Sequence, residues 1–79
     1  RLLTTYGYRL LPYGNHTALS DDGGRTWSAP MVLDEKPFHR DLGYPSTVEL
    51  ADSSLLSVWY ERLPGSTFAS VQAARWSLV

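Results

Sequence analysis

The side chains best suited to acid–base or ligand chemistry lie in the longest stretch of the chain that is predicted to be irregular, residues 34–45. Its ionisable and aromatic members include Glu35, Lys36, Phe38, His39, Arg40, Asp41 and Tyr44. Compact domains rarely keep loops this long without a use, and polar groups carried on loops over a rigid sheet are a common layout for active sites. We therefore expect a functional site at this loop.

Composition and motifs exclude several kinds of site. Without cysteine the chain has neither disulfides nor thiolate metal ligands, and 2 histidines are too few for a structural zinc site. His39, Arg40 and Asp41 lack metal-ligand spacing, so we expect no metal and no cofactor. No Ser-His-Asp order, phosphate-binding loop or dinucleotide fingerprint is present, and both His16 and His39 are most simply surface histidines.

Charge and the length of the apolar runs exclude two classes of partner. The chain has 7 Lys and Arg against 8 Asp and Glu, a formal charge of −1, so it lacks the basic face that nucleic acid requires. No apolar run approaches the roughly 20 residues that a bilayer-spanning helix needs. We expect neither a nucleic-acid partner nor a membrane segment.

Short segments rich in β-branched and aromatic residues alternate with turn signals, which predicts strands. The predicted strands are residues 2–10, 16–20, 27–33, 47–50, 55–60 and 67–78. The Ala-rich middle of the last segment would tolerate a helix, but it follows a Pro-Gly turn after a strand, and sheets grow by such hairpins. The predicted fold is therefore all-β, built of antiparallel hairpins.

The acidic, Gly-rich turn at residues 20–27 has a folding chemistry of its own. The Asp22 carboxylate can accept backbone N–H bonds across the turn, and Gly24 can supply a positive φ. The Ser20 and Thr26 hydroxyls can pair beside the carboxylate, and Trp27 can cover the hairpin with an apolar plate. We predict that this turn is a structural device and carries out no chemistry.

A family resemblance begins in the same turn. Residues 20–27, SDDGGRTW, fit the pattern S-x-D-x-G-x-T-W at every fixed position. This is similar to the Asp box of bacterial neuraminidase (BNR) repeats, an outer-edge turn of the blades in sialidase propellers that also occurs in unrelated secreted and receptor propellers. Residues 41–52, DLGYPSTVELAD, and 55–61, LLSVWYE, resemble the last part of a non-viral sialidase, and the closing Arg75-Trp76 resembles its final strand.

The resemblance implies a fold and a context for the chain. It implies an antiparallel β-propeller, of which residues 1–79 would be the C-terminal fragment of six blades, with the Asp-box hairpin at 16–33 and the final blade at about 44–79. The start at Arg1 and the aromatic content of 13% suit a piece of a longer protein. The remaining blades would then be its partners, and the parent would be secreted or periplasmic.

The implied activity is that of an exo-α-sialidase, a glycoside hydrolase that removes terminal sialic acid from a glycan through a tyrosine nucleophile. Tyr44 resembles that catalytic nucleophile. Glu61 resembles the carboxylate that orients a substrate-binding arginine, and Arg9 resembles one of the arginines that bind the sugar carboxylate through paired bonds. Asp41 is a further candidate for substrate contact. The general acid and the base would lie in earlier blades, so the chain alone is expected to be inactive.

Two departures from the family pattern leave the identity of the sugar open. Pro45 stands where well-studied sialidases usually have serine, and Arg9 lies a few residues further from the Asp box than the family arginine. Ser53 also replaces the expected glycine of a later turn, and His16 replaces an arginine that relatives often have.

Each candidate residue also has a purely structural interpretation. Tyr44 can pack on Pro45, Arg9 can pair with a surface acid, Glu61 can be a solvated strand end, and Asp41 can cap the loop. The alternative function is accordingly a noncatalytic Asp-box propeller module that binds glycans or proteins.

Overall fold

A computed structural model describes residues 1–34, 39 and 41–78 of the chain. The described residues form six strands: β1 (Leu2–Tyr8), β2 (Gly14–Ser20), β3 (Met31–Asp34), β4 (Leu42–Glu49), β5 (Leu55–Arg62) and β6 (Ala69–Trp76). These residues include no helix that could cross a bilayer.

The strands form two antiparallel sheets of three strands each. The N-terminal sheet has the order β1-β2-β3 and the C-terminal sheet the order β4-β5-β6, so within each sheet the strands pair in the order in which they follow along the chain. The prediction of an all-β fold of antiparallel hairpins is confirmed for the described residues. The Ala-rich final segment is a strand, because β6 pairs with β5 in unbroken register from Leu55↔Trp76 to Arg62↔Ala69.

The predicted start of β3 is wrong. Residues 27–33 were expected to be extended throughout, but β3 begins at Met31. Trp27 still belongs to the preceding turn, since its indole Nε1 donates a hydrogen bond to the Gly24 carbonyl at 3.1 Å. Pro30 has no N–H to donate to a strand ladder, so the pairing of β3 begins only at the next residue, Met31.

The predicted loop also ends earlier than expected, because residues 42–45 belong to β4. The register with β5 shifts between Gly43 and Ser46, and the two residues at the shift have positive φ, 118° at Gly43 and 45° at Tyr44. A bulge of this kind accommodates Pro45, which has no N–H for the ladder. Residues 35–38 and 40 of the predicted loop lie outside the described residues.

The β4–β5 turn is held by its own side chains. Ser53 has a φ of 69°, in the left-handed region that favours glycine and at the position where the family resemblance expects one. The Asp52 carboxylate accepts the Ser54 N–H at 3.0 Å and also pairs with the Arg75 guanidinium. The turn therefore ties β6 to the β4–β5 connection.

The two sheets contact each other mainly through β1 and β4. Gly7 makes the close approach possible, because a Cβ at this position would lie 3.1 Å from Gly43 Cα and 3.2 Å from Leu42 Cδ1. Leu42 is fully buried at this contact. The other buried hydrophobic residues are Ala18, Leu55 and Trp59.

Polar side chains make up much of the buried interior. Within the C-terminal sheet the Thr47 and Ser57 hydroxyls are 2.7 Å apart, and Trp76 Nε1 donates to Ser57 Oγ at 2.8 Å. Asn15 is fully buried, and neither atom of its amide has a hydrogen-bond partner among the described residues. The hydrogen bonds that join the two sheets are those of Arg9 to the Leu42 carbonyl and a long one, 3.5 Å, from Thr47 Oγ1 to Thr5 Oγ1.

Candidate functional site

The turn at residues 20–27 is closed by its central carboxylate. Asp22 Oδ1 accepts the N–H groups of Arg25 and Thr26 at 3.0 and 2.9 Å and the Ser20 hydroxyl at 2.8 Å, while Oδ2 accepts the Thr26 hydroxyl. These bonds, that of the Thr26 hydroxyl foremost, lower the pKa of Asp22 to about 2. Gly24 has a φ of 95°. Both carboxylate oxygens are used inside the turn, which agrees with the predicted structural role.

The candidate site begins with Arg9, which directly follows β1. Its Nε and Nη2 atoms donate to the Leu42 carbonyl at 3.2 and 2.9 Å, so the side chain reaches from one sheet to the other. Its Cζ atom lies 5.6 Å from the centroid of the Tyr44 ring, within cation–π range. Nη1 makes no hydrogen bond to the described residues, so one edge of the guanidinium can still bind an anion.

The stacked rings of Tyr44 and Tyr60 lie beside this arginine. The Tyr44 and Tyr60 rings stack with centroids 5.7 Å apart and an interplanar angle of 19°. Tyr44 is 79% exposed, because the positive φ at the β4 bulge turns it outward. Together the rings offer an aromatic surface at the end of the C-terminal sheet.

Asp41 lies next to Tyr60 and is the carboxylate of the candidate site. Its Oδ1 atom accepts the Tyr60 hydroxyl at 2.7 Å, and its backbone N–H donates to His39 Nδ1 at 2.9 Å. The hydrogen bond to Asp41 raises the pKa of Tyr60, and partial burial and the negative charge of Asp41 act in the same direction. Tyr60 therefore stays a neutral phenol that donates to a carboxylate.

These side chains line one open cleft of about 490 Å³, formed by Arg9, His39, Asp41, Tyr44 and Tyr60. A second cleft of about 430 Å³ shares Arg9 and Tyr44 and continues along β1 past Gly7. The shared residues place the guanidinium and the exposed phenol between the two spaces. A ligand lying across them would meet a cation, an aromatic face and a carboxylate.

Glu61 is not part of this cleft. Successive side chains of a strand point to opposite faces, so Glu61 faces the N-terminal sheet while Tyr60 faces away from it. Glu61 is only 8% exposed, which excludes the solvated strand end, and its Oε1 accepts the Trp59 indole N–H at 2.9 Å. Of the candidates Arg9, Tyr44 and Glu61, only Arg9 and Tyr44 therefore share this cleft. That Glu61 orients an arginine stays a prediction.

Burial raises the pKa of Glu61 above its ordinary value of 4.5, and the neighbouring Asp34 carboxyl raises it further. Folding therefore favours the protonated form, and the resulting stability is complete at low pH and lost as the pH rises through the folded-state pKa. Replacing Glu61 with glutamine, which is neutral at every pH, should raise Tm at about pH 8 by on the order of 5 °C. The difference in Tm between Glu61→Gln and the wild type should vanish near pH ~4, where Glu61 is protonated in both the folded and the unfolded chain.

Thermal unfolding of both proteins across this pH range measures the effect. Glu49→Gln is the matched control, because Glu49 is exposed on β4 and its replacement should change Tm little at either pH. A lower Tm for Glu61→Gln at the alkaline end would show that a charged Glu61 stabilises the fold.

The structure thus brings together Arg9, Asp41 and Tyr44 of the sequence-predicted site and adds Tyr60 and His39. The sequence signal for Tyr60 was its place beside Glu61 at the end of a predicted strand, but only the register shows which of the two faces the cleft. Among residues 1–34, 39 and 41–78, no three His, Cys, Asp or Glu side chains form a group that could hold a metal ion.

Comparison with protein-family models, curated proteins and solved structures found no match to this chain. The functional interpretation therefore depends on the geometry of the cleft and on the sequence resemblance.

Proposed function

We propose that the chain is part of a sialidase-like β-propeller, and that the cleft at Arg9, Asp41, Tyr44 and Tyr60 binds a terminal sialic acid of a glycan. The fold is compatible with this proposal. Two antiparallel meanders in contact with each other are compatible with neighbouring propeller blades, whose complete sheets contain four strands. The Ser20–Trp27 hydrogen bonds, which close a tight turn, also suit an Asp box at a blade edge.

The observation that carries the proposal is the Arg9 guanidinium beside the exposed Tyr44 ring. An acidic sugar has a carboxylate, which a guanidinium edge can bind through charge-assisted hydrogen bonds, and a partly apolar ring face, which can pack on a tyrosine. Hydroxyls of the sugar can donate to the Asp41 carboxylate at the other side of the cleft. The cleft thus has a complementary group for each part of the ligand.

The parent protein would act as an exo-α-sialidase that cleaves this sugar from glycans through a tyrosyl intermediate. Asp41 is the only carboxylate among the described residues that line the cleft. Since hydrolysis also needs an acid to protonate the leaving group, the chain alone should not turn over natural glycans.

One observation favours the noncatalytic alternative, a propeller module that only binds glycans or proteins. Arg9 uses one edge of its guanidinium on the Leu42 carbonyl, which reduces the donors that it can offer to a sugar carboxylate.

Titration of the chain with a methyl α-sialoside, followed by NMR, tests the proposal, with methyl galactoside as the neutral comparison. We expect binding of the acidic sugar alone. Arg9→Gln should weaken it about 10- to 100-fold, the equivalent of about 1.5–3 kcal/mol for a lost charged hydrogen bond. Arg25→Gln is the matched control, since that arginine is exposed in the remote turn. Equal binding of both sugars, or an unchanged affinity in Arg9→Gln, would contradict the proposal.

A further inference from the structure

We infer that the chain docks on the surface of a lipid bilayer through the apolar tips of two loops beside the cleft. These are the β1–β2 loop, residues 9–13, and the β5–β6 loop, residues 63–68. The docking surface stands on its own observations. The ligand that docking favours, a sialic acid carried by a glycolipid, rests on the proposed function.

Strand register places both loops at the end of the molecule where the cleft opens. β1 runs toward this end, because Gly7, its next-to-last residue, lies against Gly43 near the start of β4. β5 also ends here, since Glu61 is the cross-strand partner of Leu42. The residues that follow β1 and β5 therefore project from the same end as the cleft, with one loop from each sheet.

The loop tips expose large apolar side chains to solvent. Among the described residues, four of the five large hydrophobic side chains with the highest exposed fractions lie at this end, namely Leu10 at 68%, Leu11 at 77%, Phe68 at 78% and Tyr44 at 79%. The two leucines and Phe68 lie beyond strand ends, whereas a sheet packs on other layers through its faces. Further sheets on the two faces would therefore leave these tips exposed.

Hydrogen bonds hold both loops in a defined shape. The Ser66 N–H donates to the Leu63 carbonyl at 3.1 Å, and the Ser66 hydroxyl accepts the Phe68 N–H at 3.1 Å and donates to the Phe68 carbonyl at 3.0 Å. The other loop is anchored at its start by the bonds from Arg9 to the Leu42 carbonyl. Apolar tips that are already ordered lose little conformational freedom when they bind.

The loop sequences favour a bilayer over a protein partner. An arginine precedes the leucines in both loops, as Arg9-Leu10-Leu11 and Arg62-Leu63, and neither 9–13 nor 62–68 contains an acidic residue. Leucine and phenylalanine can enter the acyl boundary while arginine stays among the headgroups, which is typical of proteins that lie on a membrane without spanning it. The arginines also attract an anionic leaflet, such as one that carries sialylated lipid.

Co-sedimentation of the chain with vesicles tests the inference, using phosphatidylcholine alone and phosphatidylcholine with a minor fraction of a sialylated glycolipid. We expect binding to both vesicles and tighter binding to the second. The double variant Leu10→Ser, Leu11→Ser should bind both about 10-fold or more weakly, because less apolar surface leaves water, and Phe68→Ser should weaken both similarly. Leu78→Ser is the matched control, since this exposed leucine follows β6 at the other end of the C-terminal sheet.

The two kinds of vesicle separate the docking surface from the sugar site. Arg9→Gln should lose the gain that the glycolipid provides while keeping most of the binding to phosphatidylcholine. Binding to phosphatidylcholine with no gain from the glycolipid would support the docking surface and contradict the sugar site. No binding to either vesicle, or unchanged binding by the two loop variants, would overturn the inference, and the soluble methyl sialoside would still decide the proposed function. Self-association that the loop substitutions abolish, without vesicle binding, would assign the tips to a protein contact instead.

Discussion

Leu42→Ala is expected to lower the free energy of unfolding by about 2–5 kcal/mol, as deletion of a fully buried leucine side chain generally does. Leu42 is 0% exposed, and the buried hydrophobic residues of the described chain number only four. Leu42 Cδ1 lies against the backbone at Gly7, where there is no side chain to move, so the surroundings can do little to fill the cavity. The loss should therefore fall in the upper part of this range.

Urea unfolding measured by tryptophan fluorescence gives this value, because Trp59 is buried in the same interface. Leu10→Ala serves as the control, since Leu10 is 68% exposed and its truncation should change stability by less than about 0.5 kcal/mol. Equal effects of the two substitutions would mean that the sheets do not depend on Leu42 for docking.

Gly7→Val is the second substitution with a large expected effect. It should lower the free energy of unfolding by about 1–3 kcal/mol, because it overpacks the contact between the sheets. A Cβ alone would stand 3.1 Å from the backbone at Gly43 and 3.2 Å from Leu42, and valine adds two methyl groups. Backbone cannot rotate away as a flexible side chain can, so β1 and β4 must separate. Separation would also lengthen the Arg9 bonds to the Leu42 carbonyl.

The matched control for this substitution is Thr5→Val, two residues earlier on the same face of β1. That change is nearly isosteric and removes only a long contact, 3.5 Å from Thr47 Oγ1 to Thr5 Oγ1. In urea unfolding, the free energy of unfolding of Gly7→Val should be well below the values for Thr5→Val and for the wild type. A Gly7→Val protein as stable as the control would show that the sheets tolerate a wider spacing.

The fold was largely predictable, because turn residues and β-branched segments are local signals. The hairpin rule correctly predicted β6 despite its alanines. The start of β4 was not predictable, since Pro45 normally interrupts a ladder. A strand survives there only through the bulge at Gly43 and Tyr44, and the energy of that bulge depends on pairing with β5 rather than on the local sequence.

The site was predictable in its residue types and less so in its arrangement. Arg9, Asp41 and Tyr44 are chemically distinctive and lie at strand ends or next to a loop, which the sequence shows. The face on which Tyr60 or Glu61 lies is set by strand register, and a shift of one residue exchanges the two. That register follows from pairing across the sheet and from the contact between the sheets, and neither can be read from the local sequence.

The Arg9 side chain comes from the N-terminal sheet, whereas the tyrosines and Asp41 come from the C-terminal sheet, so the cleft spans the seam between the sheets. A ligand that contacts Arg9 and the tyrosines at once is bound to both sheets. Ligand binding in the cleft and docking of the two sheets are then coupled equilibria. Coupling of this kind is reciprocal: a sugar would stabilise the folded chain by mass action. A core change such as Leu42→Ala would in turn weaken sugar binding without contacting the sugar.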